Sequence, residues 1–183
     1  MIIPRLLTKY RKEVIPAMEK KFDYKNIMSI PKISKVVINI GIGRISVAKE
    51  NKFIEKIEKD LIKVSGQKPT IRKSKQSISG FKVRQGMDVG MMVTLHGKRM
   101  YDFIDRLISI ALPRMRDFRG IDSKSFDQGG SLNIGIKEHN IFPEVTYESV
   151  KDIFGMQVTI TTTAKSKDEG VELLKLIGFP IKK

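Results

Sequence analysis

The sequence predicts an α+β fold, a mainly antiparallel sheet with helices packed on one face and a long basic loop projecting from the body. Three observations carry that expectation. Segments rich in β-branched residues, such as Val36-Val37-Ile38-Asn39-Ile40 and Val158-Thr159-Ile160-Thr161, read as strands. Lone amphipathic helical patterns separate those strands. Hairpin-like returns flank the one long stretch that has no apolar period, which favours antiparallel pairing over a repeating parallel unit. A sheet covered on one face leaves the other free for a ligand.

The elements follow in order. Arg5 to Phe22 has a narrow apolar stripe of Leu6, Leu7, Tyr10, Val14 and Met18, a basic amphipathic helix that Pro16 bends or interrupts. Pro31 to Ile40 is a strand that runs into the glycine turn Gly41-Ile42-Gly43, with Asn39 at its end. Phe53, Ile57, Leu61 and Val64 then recur every three or four residues among mixed charges, a helix stopped by Ser65-Gly66 and Pro69. Between Leu61 and Met87 stand Lys63, Lys68, Arg72, Lys73, Lys75, Lys82 and Arg84 with no acidic residue. The Ser and Gly residues among them predict a mobile loop over about 71–86 with short strand segments beside it.

Val89 to Leu95 resumes as a strand that turns at His96-Gly97. A helix from Met100 to about Leu112 faces Tyr101, Phe103, Ile104, Leu107, Ile108 and Ala111 inward and is expected to end at Pro113. The turn Asp127-Gln128-Gly129-Gly130 leads into a strand from Ser131 to Ile136, and Met156 to Thr163 is the last strand. Ser166 and Glu169 form a capping box for a closing helix through Val171, Leu173, Leu174 and Ile177, ended by Gly178 and Pro180. No repeat, low-complexity tract or linker divides the chain, so residues 1–183 are expected to form one domain.

Composition limits the function. The 183 residues carry 35 Lys and Arg against 20 Asp and Glu, a net charge of +15 and a pI near 10.0. Such an excess attracts polyanions and releases condensed counterions on contact. The charge is spread along the chain instead of lying on one amphipathic helix, which favours nucleic acid over a membrane surface. The chain has no Cys, which excludes a disulfide framework, a thiolate nucleophile and a Cys-based zinc site. The N-terminal Met1-Ile2-Ile3-Pro4-Arg5 lacks the apolar core of a signal peptide, so a cytoplasmic location is expected.

Enzymatic chemistry finds no residues to carry it. His96 and His139 stand in no ligand-spaced motif, and no metal or cofactor is expected. Glu55, Glu58 and Asp60 alternate with Lys52, Lys56 and Lys59, the pattern of a solvated, salt-bridged helix face. Gly41-Ile42-Gly43 has Ser46 where the dinucleotide fingerprint needs a glycine, so it reads as a plain strand-to-helix turn. What the chain offers is Lys, Arg, Asn, Gln and Thr, the side chains that grip folded RNA through phosphates and 2′-hydroxyls. With no Trp and four Tyr, stacking on single-stranded bases is the weaker option.

The motifs point to one family. Gly66-Gln67-Lys68-Pro69, Ser77-Ile78-Ser79-Gly80-Phe81-Lys82-Val83-Arg84, Val93-Thr94-Leu95, Met100-Tyr101-Asp102-Phe103-Ile104-Asp105-Arg106-Leu107 and Ala111-Leu112-Pro113-Arg114-Met115-Arg116-Asp117-Phe118-Arg119-Gly120 closely resemble bacterial-type large-subunit ribosomal protein five. So do Ser125-Phe126-Asp127, Gly135-Ile136-Lys137-Glu138, Ile141-Phe142-Pro143-Glu144 and Thr161-Thr162-Thr163-Ala164, in the same order over nearly the whole chain.

The resemblance implies a non-catalytic ribosomal constituent of the central protuberance. Its partners would be 5S rRNA, 23S rRNA, P-site tRNA and small-subunit ribosomal protein thirteen. It places the 5S rRNA contact at Asn39, Gln67 and Thr94, with His96 where the family usually has Arg. It makes the loop bearing Arg72, Lys73, Lys75, Lys82 and Arg84 the element that touches tRNA. Asp127-Gln128-Gly129-Gly130-Ser131-Leu132 departs from the family pattern, and no site is expected there. The competing reading is a general RNA-binding or RNA-chaperone protein that acts off the ribosome.

Overall fold

Period-two alternation of buried and open positions runs through four of the five strands of the computed structural model, which describes residues 3–145 and 153–182. The strands are β1 (Ile33–Gly41), β2 (Thr70–Lys73), β3 (Asp88–Leu95), β4 (Leu132–Ile136) and β5 (Met156–Thr162). They form one antiparallel sheet in the order β2-β3-β1-β5-β4. Ile38 and Ile40 of β1, Met91, Val93 and Leu95 of β3, and Val158 and Ile160 of β5 are buried, while the residues between them stay at least partly open. One side of the sheet thus meets the core and the other is left for solvent or a ligand.

The helices are α1 (Arg5–Lys9), α2 (Ile15–Phe22), α3 (Gly43–Val47), α4 (Asn51–Ser65), α5 (Gly97–Arg106), α6 (Leu112–Arg114) and α7 (Lys167–Ile177). By contacts the chain forms two compact units, one of residues 1–36, 95–134 and 159–183 and one of residues 37–94 and 135–158.

In the first unit α1 leads into α2 through a π turn, Tyr10–Val14, and α5 leads into α6 through another, Leu107–Ala111. Each turn ends two residues before a proline, Pro16 or Pro113. This corrects the expectation that Pro113 ends its helix. A proline clashes with the carbonyl four residues back, and a π turn, bonded over five residues from Ile15 N to Tyr10 O and from Leu112 N to Leu107 O, opens the coil at that point. The helix therefore continues to Arg114. Tyr10 donates to the carbonyl of Pro31 at 3.1 Å. Burial, and secondarily Tyr101, pushes its pKa up to about 12, so it stays a neutral donor.

The closing helix starts as its sequence requires. Ser166 accepts from the Glu169 amide, and Glu169 returns to the amide of Lys165 at 2.9 Å. Against its first turn lies the Asp127–Gly130 turn. Asp127 Oδ1 accepts from Ser131 N at 2.6 Å, and Gly130 O accepts from the Thr162 hydroxyl at 3.1 Å. Here two glycines meet backbone to backbone, since a Cβ on Gly170 would fall 2.2 Å from Gly130 O.

In the second unit β1 turns at Gly41-Ile42-Gly43 directly into α3, the strand-to-helix turn that the failed dinucleotide fingerprint suggested. The apolar stripe of α4 buries Ile57, Leu61 and Val64, and Gly66 closes the helix at φ 68°, a left-handed conformation that favours glycine. His139 is buried and stacks on Phe154 with ring centroids 3.9 Å apart, while its Nδ1 accepts from Phe154 N at 3.3 Å. It is a core residue. Among the described residues no cluster of His, Cys, Asp or Glu could hold a metal, and no helix is long and apolar enough to cross a membrane.

Candidate nucleic-acid interface

The open side of the sheet in the second unit carries two of the residues singled out in the sequence. Asn39 on β1 and Thr94 on β3 both fall on the half-open parity of their strands, so the period of two alone puts them on one side. Gln67 is half-buried in the connection between α4 and β2. Its backbone is fixed by the buried Ser65, whose hydroxyl lies 2.6 Å from Leu61 O and 2.9 Å from Gln67 O, and which accepts from Gln67 N at 3.2 Å.

None of the Asn39, Gln67 and Thr94 side chains has a hydrogen-bond partner among the described residues. The contrast on the outward side of the first unit is Asn133 and Thr159, where the hydroxyl donates to the amide oxygen at 2.6 Å. That pair satisfies itself. Asn39, Gln67 and Thr94 keep donors and acceptors for an outside partner.

His96, in the first unit, is exposed at the start of α5, with Nδ1 3.3 Å from Ser34 O. A carbonyl can only accept, so this contact places a proton on Nδ1.

The basic segment carries more backbone pairing than its sequence suggests. β2 pairs antiparallel with β3, and beyond the pair Ser74 N donates to Met87 O at 2.8 Å while Gly86 N donates to Ser74 O at 3.0 Å. Ile78 and Val83 form a further bridge. Residues 71–86 are a hydrogen-bonded hairpin with no buried residue.

Two of the cations in the acid-free stretch have partners outside it, Lys63 with Asp60 at 3.4 Å and Lys68 with Glu58 at 3.9 Å. Arg72, Lys73, Lys75, Lys82 and Arg84 are exposed and make no ion pair among the described residues. Arg72 stands opposite Gly90 in the strand register, and its guanidinium lies 3.9 Å from Met92 Sδ. It therefore belongs to the open side that carries Thr94, a placement the sequence did not disclose.

Exposed cations beside unsatisfied amides and hydroxyls suit a ribose-phosphate surface, with charge for affinity and neutral groups for position. RNA affinity is accordingly expected to fall with salt, with a log–log slope of about −0.7 to −0.9 for each phosphate neutralised. Titrations at several salt concentrations check this, and a flat dependence contradicts it.

A family model described as Ribosomal protein L5 matches residues 26–84, and a second model, describing the C-terminus of the same ribosomal protein family, matches residues 88–181. The large ribosomal subunit protein uL5 of Thermoanaerobacter sp. (strain X514) is 52% identical over 180 residues, covering 98% of this chain and 99% of that protein. The protein of the same name from Clostridium tetani (strain Massachusetts / E88) is 49% identical over 180 residues, covering 98% of each.

Proposed function

The chain belongs to the ribosomal protein L5 family, and on that premise we propose that it is a bacterial large-subunit constituent that binds 5S rRNA in the central protuberance. In this reading it also contacts 23S rRNA, touches P-site tRNA with its basic hairpin and bridges to small-subunit ribosomal protein thirteen. The family is structural and non-enzymatic, and its place is the large subunit of the cytoplasmic bacterial ribosome.

The single observation that carries the 5S rRNA assignment is the set of unpartnered polar side chains Asn39, Gln67 and Thr94. These groups stand half-open to solvent with no protein partner, so their donors and acceptors are available to RNA. Arg72 supplies a cation on the same side of the sheet, and His96 lies exposed at the start of α5.

The hairpin has a separate role in this reading. Lys73, Lys75, Lys82 and Arg84 project from an element that contributes nothing buried, a sequence-blind grip on the phosphates of a tRNA that must arrive and leave. Replacing these four by Ala, with Arg72 kept, is expected to leave melting temperature and 5S rRNA affinity at parental values and to weaken P-site tRNA retention on assembled ribosomes. Collapse of 5S rRNA binding with tRNA retention unchanged would move the hairpin into the rRNA interface. Replacing Arg72 alone is expected to act on rRNA.

A further inference from the structure

Charge accounts for the flanks of the hairpin but not for its tip. Ile78 and Val83 exchange backbone hydrogen bonds of 2.9 and 3.2 Å, and the residues between them turn as a 3-10 segment, with Phe81 N donating to Ile78 O at 3.3 Å and Lys82 N to Ser79 O at 3.0 Å. Lys82 takes φ 54°, a left-handed conformation unfavourable for a residue with a Cβ. This turn holds Phe81 74% exposed. Among the described residues every other large aromatic side chain is buried wholly or in part, so an open phenyl ring on a fixed turn marks a contact surface.

Gly80 adds a second observation. A Cβ there would meet nothing within 4 Å, and its φ is not in the left-handed region. The fold by itself does not need glycine at that point. The space beside the ring is open to the approach of a partner. Lys75, Lys82 and Arg84, all exposed, stand on the same hairpin.

An apolar protein surface would cover Phe81 and strand three cations, and phosphates alone would satisfy the cations and leave the ring in water. A nucleobase with an open face brings both chemistries within one nucleotide. We propose that Phe81 stacks on the exposed face of a base or terminal base pair of the RNA gripped by the hairpin, with Gly80 making room for the adjoining sugar and Lys75, Lys82 and Arg84 on its phosphates. The proposal rests on the tRNA reading of the hairpin.

The test is P-site tRNA binding to ribosomes assembled with full-length variants, measured at several salt concentrations. Phe81→Ala is expected to weaken binding roughly 5- to 150-fold, the range for loss of one base–aromatic stack, with the salt slope unchanged. Phe81→Tyr is expected to restore it and Phe81→Leu not. The triple variant of Lys75, Lys82 and Arg84 to Ala is expected to reduce the slope instead. Full binding by Phe81→Leu would overturn stacking in favour of an apolar protein contact. Parental binding by Phe81→Ala with loss in the triple variant would overturn stacking and leave the tRNA reading in place. Parental binding in both would remove that reading as well. Melting temperatures at the parental value confirm that each variant folds.

Discussion

Gly170→Ala is expected to destabilise the chain by about 3 kcal/mol or more, a loss of roughly 6–12 °C in melting temperature for a chain of this size. Helix propensity alone predicts the opposite sign, since Ala is favoured over Gly inside a helix by about 1 kcal/mol. Geometry decides. The added Cβ would lie 2.2 Å from Gly130 O and 2.4 Å from Gly130 Cα, distances that only a movement of backbone can relieve. The turn has little freedom to move, because Asp127 holds the Ser131 amide and Gly130 O accepts from Thr162. Gly135→Ala is the control. Its Cβ would meet nothing within 4 Å and its φ is ordinary, so a gain of about 0.4–1 kcal/mol is expected from a less flexible unfolded chain. Thermal melts of the two variants check both signs.

The second large effect falls on RNA binding. Asn39→Ala, Gln67→Ala and Thr94→Ala each remove a side chain without a hydrogen bond to the protein, so each is expected to change stability by no more than about 0.5 kcal/mol. On RNA each leaves a polar group unpaired at roughly 1–3 kcal/mol. The triple variant is therefore expected to lose about a hundredfold or more in 5S rRNA affinity while keeping its melting temperature. A merely structural role for the three residues would move the melting temperature as well. The salt slope should stay near the parental value, because no cation is removed.

The parts of the fold legible in the sequence are those where burial imposes a period. The stripe Ile57, Leu61 and Val64 of α4 was readable for that reason, and β1, β3 and β5 were readable through their apolar and β-branched runs, while the alternation of buried and open positions that puts Asn39 and Thr94 on one side is seen in the structure. β2 was not readable, since Thr70–Lys73 is exposed throughout and no core selects its side chains. The π turns have no compositional signature. Pro113 read as a stop because the widened turn that accommodates it shows only in the backbone.

For the site, residue types were visible and partners were not. Lys63 and Lys68 appeared unpaired because Asp60 and Glu58 lie just outside the acid-free stretch, one helical turn or a chain reversal away. The place of Arg72 depends on a strand register, and the open ring of Phe81 on a turn. That Asn39, Gln67 and Thr94 lack internal partners is a three-dimensional fact that no spacing encodes.

Equilibrium binding of the full chain to 5S rRNA and to an unrelated RNA of equal length, at one fixed salt concentration, tests the central claim most directly when the triple variant of Asn39, Gln67 and Thr94 is measured beside the parent. The account predicts that the parent prefers 5S rRNA and that the triple variant falls to the level of the unrelated RNA. Equal parental affinity for both RNAs, or a triple variant that binds 5S rRNA as the parent does, would contradict it.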